Sequence, residues 1–282
     1  MTHLVGRRHW RGLLLAVILG LGSLVFLAAL TADGGVPLPS VKVWGPYFGL
    51  ALALVVGLWL MEGLRTKAIL ALIGSRIGFW SAVQVHLASN FAAAVTPLAG
   101  GGPPVATYLL WRRGIPLDRS LAMVSVRLLL TFGFFAVAVP ALLLCSWHAL
   151  ELSRWLVAAA IGAVAIMLAS FFLFFYFVYR PPLVERLASR FLRVVPFRLF
   201  LHNPEQIAAA IEKEVVKFSR TLTLLLQGGW GNLTLLIAYT IAIWALFFGV
   251  APVLLLGLGL KVPWFTATAR QIVLYFLLTY VP

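Results

Sequence analysis

Acidic residues and cysteine are both scarce in this chain. Asp and Glu together number 8 in 282 residues, and Cys145 stands alone. A single cysteine excludes an intrachain disulfide and a cysteine metal centre. Charged residues make up only 11% of the chain, against roughly a quarter in a typical soluble domain, and that excludes an ordinary soluble globular fold. Also missing are a nucleophile paired with a base, a cluster of metal ligands and a phosphate-binding loop followed by lysine. An enzyme is hard to build from what remains, so no catalytic residue, metal ligand or cofactor is assigned.

Apolar residues are what the chain has in quantity, at 62% of the total with a mean hydropathy of +1.03. These values describe an all-α, polytopic membrane protein. Lys and Arg number 22, an excess that fits either nucleic acid or loops facing an anionic cytoplasmic leaflet. The basic residues punctuate apolar runs and fall mostly on alternate loops, which selects the membrane and leaves no role for nucleic acid.

Arg7, Arg8 and Arg11 precede an apolar run from Leu13 to Leu30. The run is too long for a signal peptide and has no clear cleavage site, so it is read as an uncleaved first helix with a cytoplasmic N-terminus. The Gly- and Pro-rich stretch Ala32 to Lys42 suits an outer loop. A second helix is expected from about Pro46 to Met61, returning to the cytoplasmic side at Glu62, Arg65 and Lys67, with a short interfacial helix over Ala68 to Arg76.

The next apolar segment, from Phe79, runs into Thr96, Pro97, the triplet Gly100, Gly101 and Gly102, and the pair Pro103 and Pro104. Proline removes a backbone donor and glycine admits conformations other residues avoid, so the helix should break there. Broken backbone at membrane depth is tolerated only where protein buries it or it lines a watery cavity. Turning back at the glycines also keeps Arg112, Arg113 and Arg119 in the cytoplasm, so loop charge supports the same re-entrant hairpin.

Spans follow at Leu121 to Cys145, Trp155 to Tyr179 and Trp230 to Leu256. Between the last two lies a polar insertion at about 180–228, read as two cytoplasmic amphipathic helices. Leu187, Phe191 and Val194 share one face, as do Ile207, Ile211 and Val215, suited either to the membrane surface or to the ends of the bundle. The final segment, Phe265 to Pro282, lays on the first hairpin without a gap and pairs Gln271 with Gln84. Three crossings separate the two segments and give them opposite orientations, an inverted repeat of the kind whose broken helices meet at transport sites. The second hairpin is expected to be truncated at Pro282, and residues 1–282 are read as a single transmembrane domain.

Arg127 lies inside a span, where it either snorkels or pairs, with a lipid phosphate or with Glu62 as the nearest acid by depth. Asn90 and Thr96 flank the break and are candidates to satisfy freed amides or to meet a headgroup. Gly100, Gly101 and Gly102 are candidates to present successive amides to a phosphate, although tight turning alone explains them. His86, on the entering leg, and Arg270 and Gln271, in the corresponding place of the second segment, are possible coupling or pairing residues.

At Thr96 to Pro116 the sequence resembles the lysylphosphatidylglycerol synthase transmembrane family, also described as flippase-like membrane proteins. The pattern TP-x-x-x-GG-x-P is matched by Thr96, Pro97, Gly101, Gly102 and Pro104, followed by Tyr108, Leu109, Arg113 and Gly114. Trp59, Glu62 and Arg65 match a W-x-x-E-x-x-R helix end. Pro103 and Val126 stand where members often carry an acidic or amide residue and a glutamate. The resemblance implies lipid flipping or lipid-linked transport in the inner membrane, with anionic or isoprenoid lipids as partners. The rival expectation is a non-transporting membrane subunit that assists an envelope-lipid or glycolipid enzyme.

Overall fold

The computed structural model describes residues 41–96, 100–145, 153–179, 217, 221, 229–260 and 263–280. The chain divides into two units, Met1–Trp44 and Gly45–Pro282, and every contact described below lies within the second. The described residues are helical, with no strand among them. In chain order the helices are α1 (Val41–Leu72), α2 (Phe79–Ala94), α3 (Gly102–Arg112), α4 (Leu117–Cys145), α5 (Arg154–Tyr179), α6 (Trp230–Gly257) and α7 (Trp264–Tyr280). Among the described residues, four stretches are long and apolar enough to cross a membrane: Gly45–Leu72, Leu117–Cys145, Arg154–Leu173 and Trp230–Gly257. The first apolar run from Leu13 to Leu30, the loop that follows it and nearly all of the insertion at about 180–228 fall outside the described residues.

The second helix differs from the sequence expectation at its end. Glu62 and Arg65 do not emerge on a loop, because α1 continues unbroken to Leu72 and absorbs the expected interfacial helix. The reason is local: the two side chains sit i, i+3 on one helix face and neutralise each other, so the helix carries them without surfacing. α1 stops at Gly74, which takes φ +74°. There the Ser75 amide reaches back to the Leu70 carbonyl at 2.8 Å and the Gly74 amide to Ala71 at 3.1 Å, a cap that needs the left-handed conformation glycine supplies. The Arg119 guanidinium then donates to the Gly74 carbonyl at 2.6 Å, tying the start of α4 to the end of α1.

α2 and α3 fold back on each other. Ser89 donates to the Gly102 carbonyl at 2.9 Å and Arg113 to the Gln84 side chain at 3.0 Å, contacts that only an antiparallel pair makes. α3 packs in turn on α4, α4 on α5, and α7 against α4, α5 and α6.

Two apolar cores result. One joins the end of α1, the hairpin and the start of α4 through Ile69, Leu70, Val85, Leu110 and Met123, and reaches Leu236 of α6. The other joins the far half of α4 to α5, α6 and α7 through Phe135, Met167, Trp244, Phe248 and Phe276. Arg127 and Thr240 fall between the two sets in sequence, so the polar site lies at their seam.

α1 and α2 touch closely at Gly63, where an added Cβ would lie 2.5 Å from Val83 Cγ2. A Gly63→Leu variant is expected to force the helices apart and to cost about 1–3 kcal/mol. Thermal unfolding in detergent checks it, and an unchanged midpoint would show that the contact yields freely.

Candidate functional site

Glu62, Arg65, His86, Arg127 and Thr240 converge from four helices. One terminal nitrogen of Arg65 donates to both Glu62 oxygens, at 2.8 and 2.9 Å. The other donates to Thr240 Oγ1 at 3.3 Å, and the Thr240 hydroxyl donates to the Leu236 carbonyl at 2.8 Å. Arg127 Nε lies 3.7 Å from Glu62 Oε2, and His86 Nδ1 lies 3.8 Å from the same oxygen. Glu62, Arg65 and His86 are 5%, 2% and 3% exposed. The Arg127 side chain keeps 20% of its surface and makes no hydrogen bond among the described residues.

Helix geometry gives this cluster its depth. Glu62 is ten residues from the end of α1, Arg127 ten from the start of α4, and Thr240 ten from the start of α6. Those three helix ends lie on one side of the fold, because Arg119 joins α1 to α4 and Leu236, near the start of α6, shares one core with Ile69, Leu70 and Met123. At ~1.5 Å per residue, each side chain sits about 15 Å along its helix from that end, roughly a third of the length of these 28- to 32-residue helices. α4 starts earlier than the sequence suggests, at Leu117 rather than Leu121, which adds one turn between its start and Arg127.

Charge does not balance in the cluster. One carboxylate faces two guanidiniums. The Asn90 amide nitrogen is 3.0 Å from His86 Nε2; with that amide donating, the imidazole is neutral and its proton sits on Nδ1, turned toward Glu62. Arg65 is spoken for by Glu62 and Thr240, so the surplus positive charge rests on Arg127, which has donors to spare for an anion.

Beside the cluster runs an apolar groove of about 610 Å³ between α4, α5 and α6, lined by Val126, Leu129, Phe134, Phe171, Leu236 and Thr240 among others. Thr240 belongs to both, accepting from Arg65 and lining the groove. None of the charged residues lines the groove, but a cationic cluster beside an apolar trough is an arrangement suited to an amphiphile with an anionic head.

The glycine turn lies elsewhere. Thr96 donates to the Ala92 carbonyl at 2.7 Å and accepts from the Gly101 amide at 2.8 Å, so one of the three glycine amides is committed to the turn. An added Cβ would come within 2.8 Å of Thr96 at Gly101 and within 3.2 Å of Ala93 at Gly102, while Gly100 is exposed. Thr96 is ten residues beyond His86, about 15 Å along the hairpin, so the structure does not bring the turn to Arg127. A Thr96→Val variant is expected to lose about 1 kcal/mol while Thr96→Ser retains it, which thermal unfolding of the two proteins decides. On α7, Gln271 has its side-chain oxygen buried without a hydrogen-bond partner, and Arg270 beside it is partly buried.

A profile of the lysylphosphatidylglycerol synthase TM region matches residues 12–282. The chain belongs to that family. Among curated relatives, a UPF0104 membrane protein of Archaeoglobus fulgidus is 26% identical over 212 residues, covering 74% of this chain and 62% of the relative. A UPF0104 membrane protein of Methanothermobacter thermautotrophicus is 30% identical over 167 residues, covering 58% of this chain and 48% of the relative. The match thus spans less than two thirds of either relative. No solved structure matches the chain significantly.

Membership of a membrane family accounts for the buried cluster only in outline. Arg65 and Thr240 are the members that sequence reasoning did not assign. For Arg65 the signal was its i, i+3 spacing from Glu62 at the expected helix end; for Thr240, one of three hydroxyl residues in α6 with Thr234 and Tyr239, there was none.

Proposed function

We propose that this protein moves a phospholipid or a polyprenyl-linked lipid, in either case with an anionic head, between the leaflets of the cytoplasmic membrane. The observation that carries the reading is the surplus charge of Arg127 inside a helix long and apolar enough to cross a membrane, near the apolar groove that Thr240 lines. The phosphate takes the free donors of Arg127, the tail lies in the groove, and Glu62 with Arg65 holds the cation in place without competing for it. The reading uses no bond-making chemistry.

The hairpin acts as a re-entrant element in this scheme. α2 and α3 have 16 and 11 residues, about 24 and 16 Å, each short of a ~30 Å span. Arg112, Arg113 and Arg119 then stay on the side where α1 ends, which is the cytoplasmic side by the positive-inside rule and agrees with a cytoplasmic N-terminus. α7, 17 residues in one unbroken helix, comes in from the opposite side as the entering leg of an inverted counterpart.

Reconstitution tests the proposal. Vesicles containing the protein should exchange labelled phosphatidylglycerol between leaflets faster than empty vesicles do. Failure to accelerate any anionic or isoprenoid lipid overturns transport in favour of a membrane subunit that assists a lipid enzyme.

A further inference from the structure

Resting on that reading, we propose that one face of α7, together with the Trp244 indole, forms a hydrated polar track along which the lipid phosphate leaves Arg127 for the opposite leaflet. Three buried side-chain atoms around α7 have no hydrogen-bond partner among the described residues: Trp244 Nε1, Thr268 Oγ1 and Gln271 Oε1. Each unmet group costs about 1–3 kcal/mol if it stays dry, and lipid offers it nothing in exchange. Three of them in one region are explained by water or by a polar ligand passing through.

Their order along the helices makes a path. Thr268, Gln271 and Tyr275 recur at helical spacing and so share a face. Tyr275 shows where that face points: its ring is 5.9 Å from Phe135 of α4 and 5.5 Å from Trp244 of α6. Tyr275 also lies within electrostatic range of Arg127. Trp244 is one turn beyond Thr240 on α6, so the two share a face as well.

From the far end of α7 at Trp264, Thr268 is four residues in, Gln271 seven and Tyr275 eleven, depths of about 6, 10 and 16 Å. Phe135, which Tyr275 meets, is eight residues or about 12 Å beyond Arg127 on α4, so the ladder starts about two turns past Arg127 and continues toward the end of the fold that the Glu62 cluster does not reach. The groove ahead of it carries the tail and the track behind it carries the head. In chemical terms the track offers neutral donors and acceptors, which pass a phosphate along without trapping it as a second arginine would.

The test uses the protein in phosphatidylglycerol vesicles, with Cys145, which is exposed, replaced by serine. Thr268→Cys and Gln271→Cys are expected to react with a membrane-impermeant thiol reagent, and Leu274→Cys, on the exposed apolar side of α7, is not. Combining Thr268→Val with Gln271→Leu should slow leaflet exchange about tenfold while phosphatidylglycerol binding changes less than about twofold. Unreactive cysteines at 268 and 271 with undiminished exchange overturn the track and leave the Arg127 site standing. Reactive cysteines in a protein whose phosphatidylglycerol binding is indifferent to Arg127→Gln overturn the parent reading, and with it the headgroup role of the track.

Discussion

Replacing Glu62 with alanine is expected to destabilise the protein by about 3–5 kcal/mol, the range for breaking a buried pair by removing one partner. The carboxylate is the one counter-charge within reach of both Arg65 and Arg127 among the described residues. Arg65 is 2% exposed and cannot follow its charge to water. Its remaining hydrogen bond, to Thr240, is neutral and long at 3.3 Å. The paired variant Glu62→Leu with Arg65→Met should recover most of the loss, since replacing both members by apolar groups of similar volume is often neutral or better. Denaturant or thermal unfolding of the purified protein measures both. If Glu62→Ala costs less than about 1 kcal/mol, as exposed ion pairs do, the carboxylate is not the counter-charge.

That pair also marks the boundary of what the sequence could reveal. Apolar runs located the helices to within a residue or so wherever both ends were marked: Trp155 to Tyr179 is expected and Arg154–Tyr179 observed, and Trp230 to Leu256 is expected where Trp230–Gly257 is observed. The break between α2 and α3 was legible for the same reason, because proline and glycine act locally. Charges misled at Glu62 and Arg65, where hydropathy counts each charge alone and cannot see that two opposite ones a turn apart cancel. The glycine triplet admits two readings in the sequence, ligand amides or a tight turn; in the structure Thr96 uses the Gly101 amide and the missing Cβ atoms let α3 approach α2. Thr240 was invisible because its role depends on which helix faces α1, a tertiary fact with no periodic signal. The groove was invisible likewise, since the residues lining it read as ordinary span residues.

Arg127→Gln is expected to lower phosphatidylglycerol binding roughly tenfold to hundredfold, the worth of about 1.5–3 kcal/mol for a charged hydrogen bond. The remaining Glu62–Arg65 pair is neutral as a unit, so the variant site has no net charge to attract a phosphate. Arg127→Lys restores the charge without the planar fork, and should fall between the two. Stability separates this role from a structural one. Arg127 makes no hydrogen bond among the described residues and keeps 20% of its side chain exposed, whereas Arg65 holds both Glu62 oxygens. Its removal should therefore cost less in unfolding than the loss of Glu62 does, while binding and leaflet exchange fall together. Because Glu62 and Arg65 beside it are buried, added salt should diminish the difference between wild type and variant only a little, unlike at a surface contact. The opposite pattern, a large loss of stability with binding unchanged, would make Arg127 a second counter-ion for Glu62 and remove the anion from the site.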